Sequence, residues 1–269
     1  MACTAGKADP CRDCPVRRTG FCGTLPDGLR RRMSGFALPA VHGSDHWLWD
    51  PEDGSGPVTV LRRGYLRLLR YSVDGRRLIT GIAGPGAVIG EILPRRGRYE
   101  VECATEVSLC TFARAPFEHL AAEEGALRRA IRRERGRALD ALHGHIWMRG
   151  LQTPEERLAV FLVRACEMLP FQRLPSGGGV LALVVPRADI ADLIGTTRET
   201  ISRLTHRWQD EGLMSIPDGT HLVIHDPDGL ARRGGLGPRG SEKDLPPDAA
   251  PEPWSRDATG QTATQRRYL

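Results

Sequence analysis

The segment from Pro186 to Met214 most constrains what this 269-residue chain can become. It reads Pro186-Arg-Ala-Asp-Ile-Ala-Asp-Leu-Ile-Gly-Thr-Thr-Arg-Glu-Thr-Ile-Ser-Arg-Leu-Thr-His-Arg-Trp-Gln-Asp-Glu-Gly-Leu-Met. Two helices that cross steeply need a small residue where their backbones approach and a glycine where the chain turns. Ala191 and Gly195 fill those places. Ile190, Leu193, Ile194, Ile201, Leu204 and Trp208 supply a shared core. Thr197 is placed to cap the second helix, leaving Arg198, Glu199, Ser202 and Arg203 outward near its N-terminus. That stretch of a recognition helix reaches base edges in the major groove. Arg203 suits a bidentate pair with guanine O6 and N7, Glu199 suits cytosine N4, and Ser202 suits a base or a phosphate. Arg187, opening the preceding helix, suits a phosphate. Gly212 to His225 reads as two strands around Pro217-Asp-Gly, the wing of a winged helix-turn-helix. The competing reading is a two-helix corner with a solvated polar face.

Upstream, the pattern changes three times. Thr153-Pro154-Glu155-Glu156 opens a helix by N-cap, first-turn proline and capping box together. Leu158, Phe161, Leu162, Ala165 and Leu169 give that helix one apolar face before Pro170 stops it, and Val180 to Val185 reads as a strand. Before it, residues 116–150 form one long, arginine-rich helix with a narrow stripe of Leu127, Ile131, Ala138, Leu142 and Ile146. The stripe is either an internal packing face or a dimer seam. Residues 29–115 carry short strands at 58–61, 65–71, 78–82, 87–89 and 107–112. Turns at Asp53-Gly, Arg63-Gly, Asp74-Gly and Gly84-Pro-Gly divide them, as in a small all-β sandwich or barrel. Residues 151–230 are the winged domain, and 231–269, rich in Gly, Pro, Arg and Asp, read as a disordered tail. The fold class is α+β.

The net charge of +5 suits a polyanionic partner. Arginine supplies all the basic residues except Lys7 and Lys243, a bias that a GC-rich genome would also produce. No run approaches the ~18 apolar residues of a membrane span. The first residues lack the charged-then-apolar order of a secretory leader, so a cytoplasmic protein is expected.

Residues 1–28 hold four of the seven cysteines and little apolar periodicity. Cys11-Arg-Asp-Cys14-Pro-Val-Arg-Arg-Thr-Gly-Phe-Cys22 is a C-x2-C-x7-C cluster, and soft thiolates at such spacing select zinc or an iron–sulfur cluster. The first 40 residues contain no histidine, so a fourth ligand must be Cys3 or come from the β region, where Cys103 and Cys110 stand. Read as one strand pattern, those two face opposite sides, so only one can serve. Cys3 reads otherwise as an unligated thiol, and Cys166 as a small core residue. A thiol oxidoreductase built on Cys11-Arg-Asp-Cys14 would need a βαβ context that the pattern lacks.

The order of cysteine arm, strands, long helix and winged helix-turn-helix resembles the CRP/FNR superfamily of bacterial transcription regulators. The match runs from about Cys11 to Leu230, with Arg198-Glu-Thr-Ile-Ser-Arg as the recognition helix. Asp74-Gly-Arg-Arg and Gly84-Pro-Gly match the turns of its cyclic-nucleotide-binding-like β-roll. The arm is similar to the FNR/FnrL branch of anaerobic regulators. That resemblance places the fourth ligand in the strand before a Pro-Phe step, which fits Cys110 in Ser108-Leu-Cys-Thr-Phe-Ala-Arg-Ala-Pro-Phe and not Cys103. It implies a [4Fe–4S] cluster on Cys11, Cys14, Cys22 and Cys110, lost in oxygen, and a homodimer on the 116–150 helix. The arginines between 128 and 133 would make that dimer seam self-repelling and marginal, so that cluster binding could decide it. The DNA site implied is an inverted repeat of TTGAT-like half-sites, with RNA polymerase a further candidate partner. Gly90-Glu91-Ile92 is kept from the cyclic-nucleotide members, but the arginine before Tyr99 lacks its Ser or Thr partner and Pro94-Arg-Arg-Gly shortens the pocket. Cyclic AMP is therefore not expected. Zinc in place of iron, or haem-based nitric oxide sensing, are the alternatives within the same superfamily.

Overall fold

The computed structural model describes residues 11–49, 56–90, 99–175 and 177–236. The arm forms α1 (Gly20–Gly23) and α2 (Asp27–Ser34), so it reaches past residue 28. Leu29 and Met33 of α2 are buried. Eight strands follow: β1 (Ala37–His42), β2 (Trp47–Trp49), β3 (Val58–Arg63), β4 (Leu66–Tyr71), β5 (Arg77–Ala83), β6 (Val88–Ile89), β7 (Glu100–Cys103) and β8 (Val107–Phe112). They make two antiparallel four-stranded sheets, ordered β1-β8-β3-β6 and β2-β7-β4-β5. Leu61, Leu66, Val101, Cys103, Val107 and Leu109 form one buried cluster drawn from both sheets. Cys103 and Cys110 therefore lie on separate strands in separate sheets, correcting the single-strand reading. Cys103 is buried between the sheets, and Cys110 belongs to the core that receives the arm.

The predicted single helix from 116 is two helices, α3 (Arg114–Glu123) and α4 (Gly125–Leu151). Glu124 is extended at φ −99° and ψ 105°. Arg128 donates to the carbonyls of Ala121 and Ala122, at 2.9 and 2.5 Å, satisfying acceptors that α3 leaves free where it stops. That arginine is thus spent within its own protomer. So is Leu127, fully buried with Ala130 against Phe117, Leu120 and the arm, with Ile131 packed on the same cluster. These two residues leave the expected seam. Ala138 is half-buried, while Leu139, Leu142 and Ile146 stand 53%, 51% and 70% exposed.

The rest is α5 (Pro154–Met168), β9 (Phe171–Arg173), β10 (Gly179–Ala182), α6 (Arg187–Ile194), α7 (Arg198–Asp210), β11 (Met214–Ser215), β12 (His221–Ile224) and α8 (Pro227–Arg233). The capping box at Thr153 and Glu156 forms. β9 to β12 make a third sheet, ordered β11-β12-β10-β9. α8 and the buried Leu236 carry packed structure beyond 230, so the expected tail does not begin at 231; positions 237–269 lie outside the described residues. A shared core runs from Tyr65, Leu69 and Ile79 into Leu158, Phe161, Ile190 and Trp208. The Tyr65 hydroxyl donates to the Met168 carbonyl at 3.2 Å.

Candidate cofactor cavity and nucleic-acid interface

Among the described residues the arm has no strand of its own and is held by turns. Gly20 sits at φ +55°, and a Cβ there would lie 2.3 Å from the Gly86 carbonyl oxygen. The Phe21 N–H donates to that oxygen at 3.1 Å. The Gly84-Pro85-Gly86 turn, read in the sequence as a strand connection, is thus also the seat of the arm. Phe21, Leu25, Leu29 and Met33 bury against Val58, Val60, Phe112 and Phe117. Arg32 forms ion pairs with Glu123, at 2.7 Å, and with Glu124, reaching across the α3–α4 break.

This packing brings Cys11, Cys14, Cys22 and Cys110 to the wall of one cavity, about 370 Å³ including its open mouth. Val16, Leu25, Met33, Val60 and Phe112 give it a largely apolar lining, to which Arg30 and Arg62 also contribute. Val60 faces Cys110 across the β3–β8 ladder. Arg30 donates to the carbonyls of Cys22 and Leu25, at 3.1 and 2.9 Å, and pairs with Asp27, bracing the arm. Burial pushes the Cys110 thiol up to about 12, with the nearby thiols of Cys11 and Cys14 adding to the rise and Arg62 opposing it. Burial and the neighbouring thiols raise Cys22 as well. Buried thiols of this kind give up their protons to a metal rather than to water. Among the described residues no three His, Cys, Asp or Glu side chains are grouped to hold a single ion. The four cysteines line one cavity instead, and an all-cysteine donor set at an apolar space fits an iron–sulfur cluster.

The other cysteines are elsewhere. Cys103 is buried between the sheets, and burial raises its thiol to about 11. Cys166 packs at the edge of the core around α5, and Cys3 lies outside the described residues. Of the nucleotide-pocket features, only Gly90 and Tyr99 are described; Glu91 to Arg98 are not.

The second surface is α7. Gly195 ends α6 in the left-handed region at φ 67° and ψ 52°, and the Thr197 side chain accepts from the Thr200 N–H. Ile201, Leu204, Thr205 and Trp208 are buried. The opposite face presents Glu199, Ser202 and Arg203, joined by His206, which shares its helical phase and is exposed. The sequence reading passed over His206; counting back from Trp208 would have found it. Arg203 forms no ion pair among the described residues. A hydrogen bond with its own backbone, then one from Thr197, hold the Glu199 carboxyl below its usual range, so it stays an acceptor. Arg198 is exposed at the helix start, nearer the side of the buried face, and Arg187 is half-buried at the start of α6.

The Crp-like helix-turn-helix domain model matches residues 156–233. The nitrogen fixation regulation protein FixK of Bradyrhizobium diazoefficiens is 30% identical over 209 residues, 78% of this chain and 87% of that protein. The transcriptional activator protein FnrL of Cereibacter sphaeroides is 23% identical over 80% of this chain and 88% of its own length. The anaerobic regulatory protein of Haemophilus influenzae is 26% identical over 84% and 88%. The structure of FixK2 from Bradyrhizobium japonicum superposes with a TM-score of 0.66 at 23% identity, covering 75% of this chain and 98% of that one. With its β-roll, helix α4 and winged helix-turn-helix, the chain belongs to the CRP/FNR family, as a DNA-binding transcriptional regulator of the FNR type and not an enzyme.

Proposed function

We propose that this regulator senses oxygen through a [4Fe–4S] cluster held by Cys11, Cys14, Cys22 and Cys110, and binds an inverted repeat as a homodimer when the cluster is intact. The observation that carries the reading is the convergence of those thiols on one apolar cavity. Such a cluster, when bound, supplies a centre that oxygen can dismantle. The chain's own residues then relay its state. The arm cysteines fix α1 and α2 on the β domain. Leu29 and Met33 of α2 share a core with Leu127 and Ala130 of α4, and Arg32 clamps Glu123 and Glu124. An ordered arm therefore sets the first half of α4 and the axis along which Leu139, Leu142 and Ile146 project. At the far end, Glu199, Ser202 and Arg203 are the base readers, as the exposure of Glu199 and Arg203 on α7 supports, and the half-buried Arg187 at the start of α6 is a phosphate contact. The names of FnrL and of the anaerobic regulatory protein favour the same reading.

The test is anaerobic purification with iron, sulfide and zinc analysis and visible charge-transfer absorbance. Replacing any of Cys11, Cys14, Cys22 or Cys110 by Ser should remove iron and sulfide, while Cys103→Ser and Cys166→Ser keep them. Stoichiometric zinc without sulfide would replace the cluster by a structural metal site. Iron retained by Cys110→Ser would mean another fourth ligand.

A further inference from the structure

We infer that Arg62 is a positioning residue of the cavity: it supplies the counter-charge that retains an anionic four-thiolate cluster in this apolar wall. The inference rests on the cluster reading above. Arg62 lines the cavity with Cys110, Val60 and Phe112. In the β3–β8 ladder Leu61 faces Leu109 and Arg63 faces Ser108, so Arg62 is the extra residue of a bulge. Bulges re-aim a side chain, and here the extra residue lies two positions from Val60, beside the sulfur-bearing strand. Its Nε is buried and has no hydrogen-bond partner among the described residues. A buried, unspent N–H on a cation costs stability unless a ligand completes it.

The neighbouring cation is already occupied. Arg30 gives its N–H groups to the Cys22 and Leu25 carbonyls and its charge to Asp27. Four thiolates around an iron–sulfide core leave a net negative charge, and the remaining lining is apolar. Hydrogen bonds and charge near the sulfurs set both the potential and the retention of such centres. Arg62 is the group here that has both to give.

The experiment compares wild type with Arg62→Leu, Arg62→Gln and Arg62→Lys, using Arg70→Leu, exposed near the end of β4, as a control for lost charge. Iron and sulfide are measured after anaerobic reconstitution, then the rate of cluster loss to a chelator and the reduction potential. Arg62→Leu and Arg62→Gln should lose the cluster about 10–100-fold faster and at a more negative potential. Arg62→Lys should keep the potential, and Arg70→Leu should match wild type. If Arg62→Leu fails to fold, Arg62→Gln decides by the same two readings. Wild-type loading with Arg62 variants indistinguishable from Arg70→Leu overturns the role of Arg62 and leaves the cluster in place. Wild type that takes up no iron and sulfide overturns both.

Discussion

Arg67 Nε donates to Asp189 Oδ2 at 2.5 Å, with the two side chains only 6% and 3% exposed. The pair fastens β4 to the first helix of the helix-turn-helix. Arg77 on β5 adds bonds to Asp189 and Asp192, both at 3.0 Å, and Asp45 and Glu102 reach Arg67 at 2.8 and 3.3 Å. Removing Arg67 leaves three carboxylates without their shared cation, whereas removing Asp189 leaves Arg67 two partners. Arg67→Met should therefore cost about 3–5 kcal/mol and Asp189→Asn clearly less. Chemical denaturation gives the difference, and protease cleavage between the domains should rise in the same order. Equal losses would show that Asp45 and Glu102 do not share the charge of Arg67.

Gly20→Ala should weaken cluster loading without touching a ligand. Its Cβ would meet the Gly86 carbonyl at 2.3 Å, and its φ of +55° disfavours a side chain. Reconstituted iron content should fall while the β domain unfolds at its normal temperature. Full loading would mean that the arm finds another seat.

At the DNA, Arg203→Ala should bind poorly and lose preference at the guanine of the half-site, costing about 1–3 kcal/mol per half-site. Ser202→Ala should do less, since water can replace one hydroxyl contact. Arg187→Ala should weaken all sequences alike. Titration against a site and its guanine-substituted version, at fixed salt, measures each. Discrimination kept in Arg203→Ala would hand the guanine to Arg198 or His206.

The two halves of α4 should respond differently. Leu127→Ala should destabilise the protomer by about 2–5 kcal/mol through a cavity in the arm core. Ile146→Glu, on the exposed half, should leave protomer stability nearly unchanged and abolish dimers in sedimentation. A dimer surviving Ile146→Glu would place the seam elsewhere.

Glu155 joins three helices. It accepts from the Trp208 indole at 3.1 Å and from Arg233 at 2.9 Å, and it pairs with Arg207. The Arg207 bond, then the Trp208 and Arg233 bonds, hold its carboxyl below the usual range. A depressed folded-state value gives stability that is complete above the unfolded pKa, about 4.3, and lost as pH falls through the folded value. The pairs are partly exposed and screened, so Glu155→Gln should cost about 1–2 kcal/mol near neutrality. The gap from wild type should close below pH ~4. Thermal melts across that range check it, and a gap independent of pH would assign the loss to shape rather than charge.

What could be read from the sequence was whatever local chemistry decides. The cap at Thr197, the turn at Gly195 and the box at Thr153 and Glu156 act within a few residues, and all form. β1 escaped because Pro39 and a mostly exposed pattern hide its alternation. β7, Glu-Val-Glu-Cys, is short and carries two charges. α8 carried its signals in plain view, Asp226 as cap and Pro227 in the first turn, yet arginine and glycine made it resemble a tail. The exchange of Leu127 and Ile131 from seam to core was illegible for another reason. An apolar stripe shows that a face is buried, and only the arm folding back shows by what. The Arg67–Asp189 bond spans residues with no local signature at all.

The seat of the arm on Val60, Cys110 and Phe117 has a consequence for biosynthesis. Cys11, Cys14 and Cys22 are made roughly 100 residues before Cys110 and the helices that shelter them. At about 5–20 residues per second, the three thiols wait some seconds in the open before their cavity exists. If the proposed cluster is bound, insertion before then would meet an incomplete ligand set and would have to follow closure of the β-roll. The site is finished only when residues far apart in the order of synthesis have met.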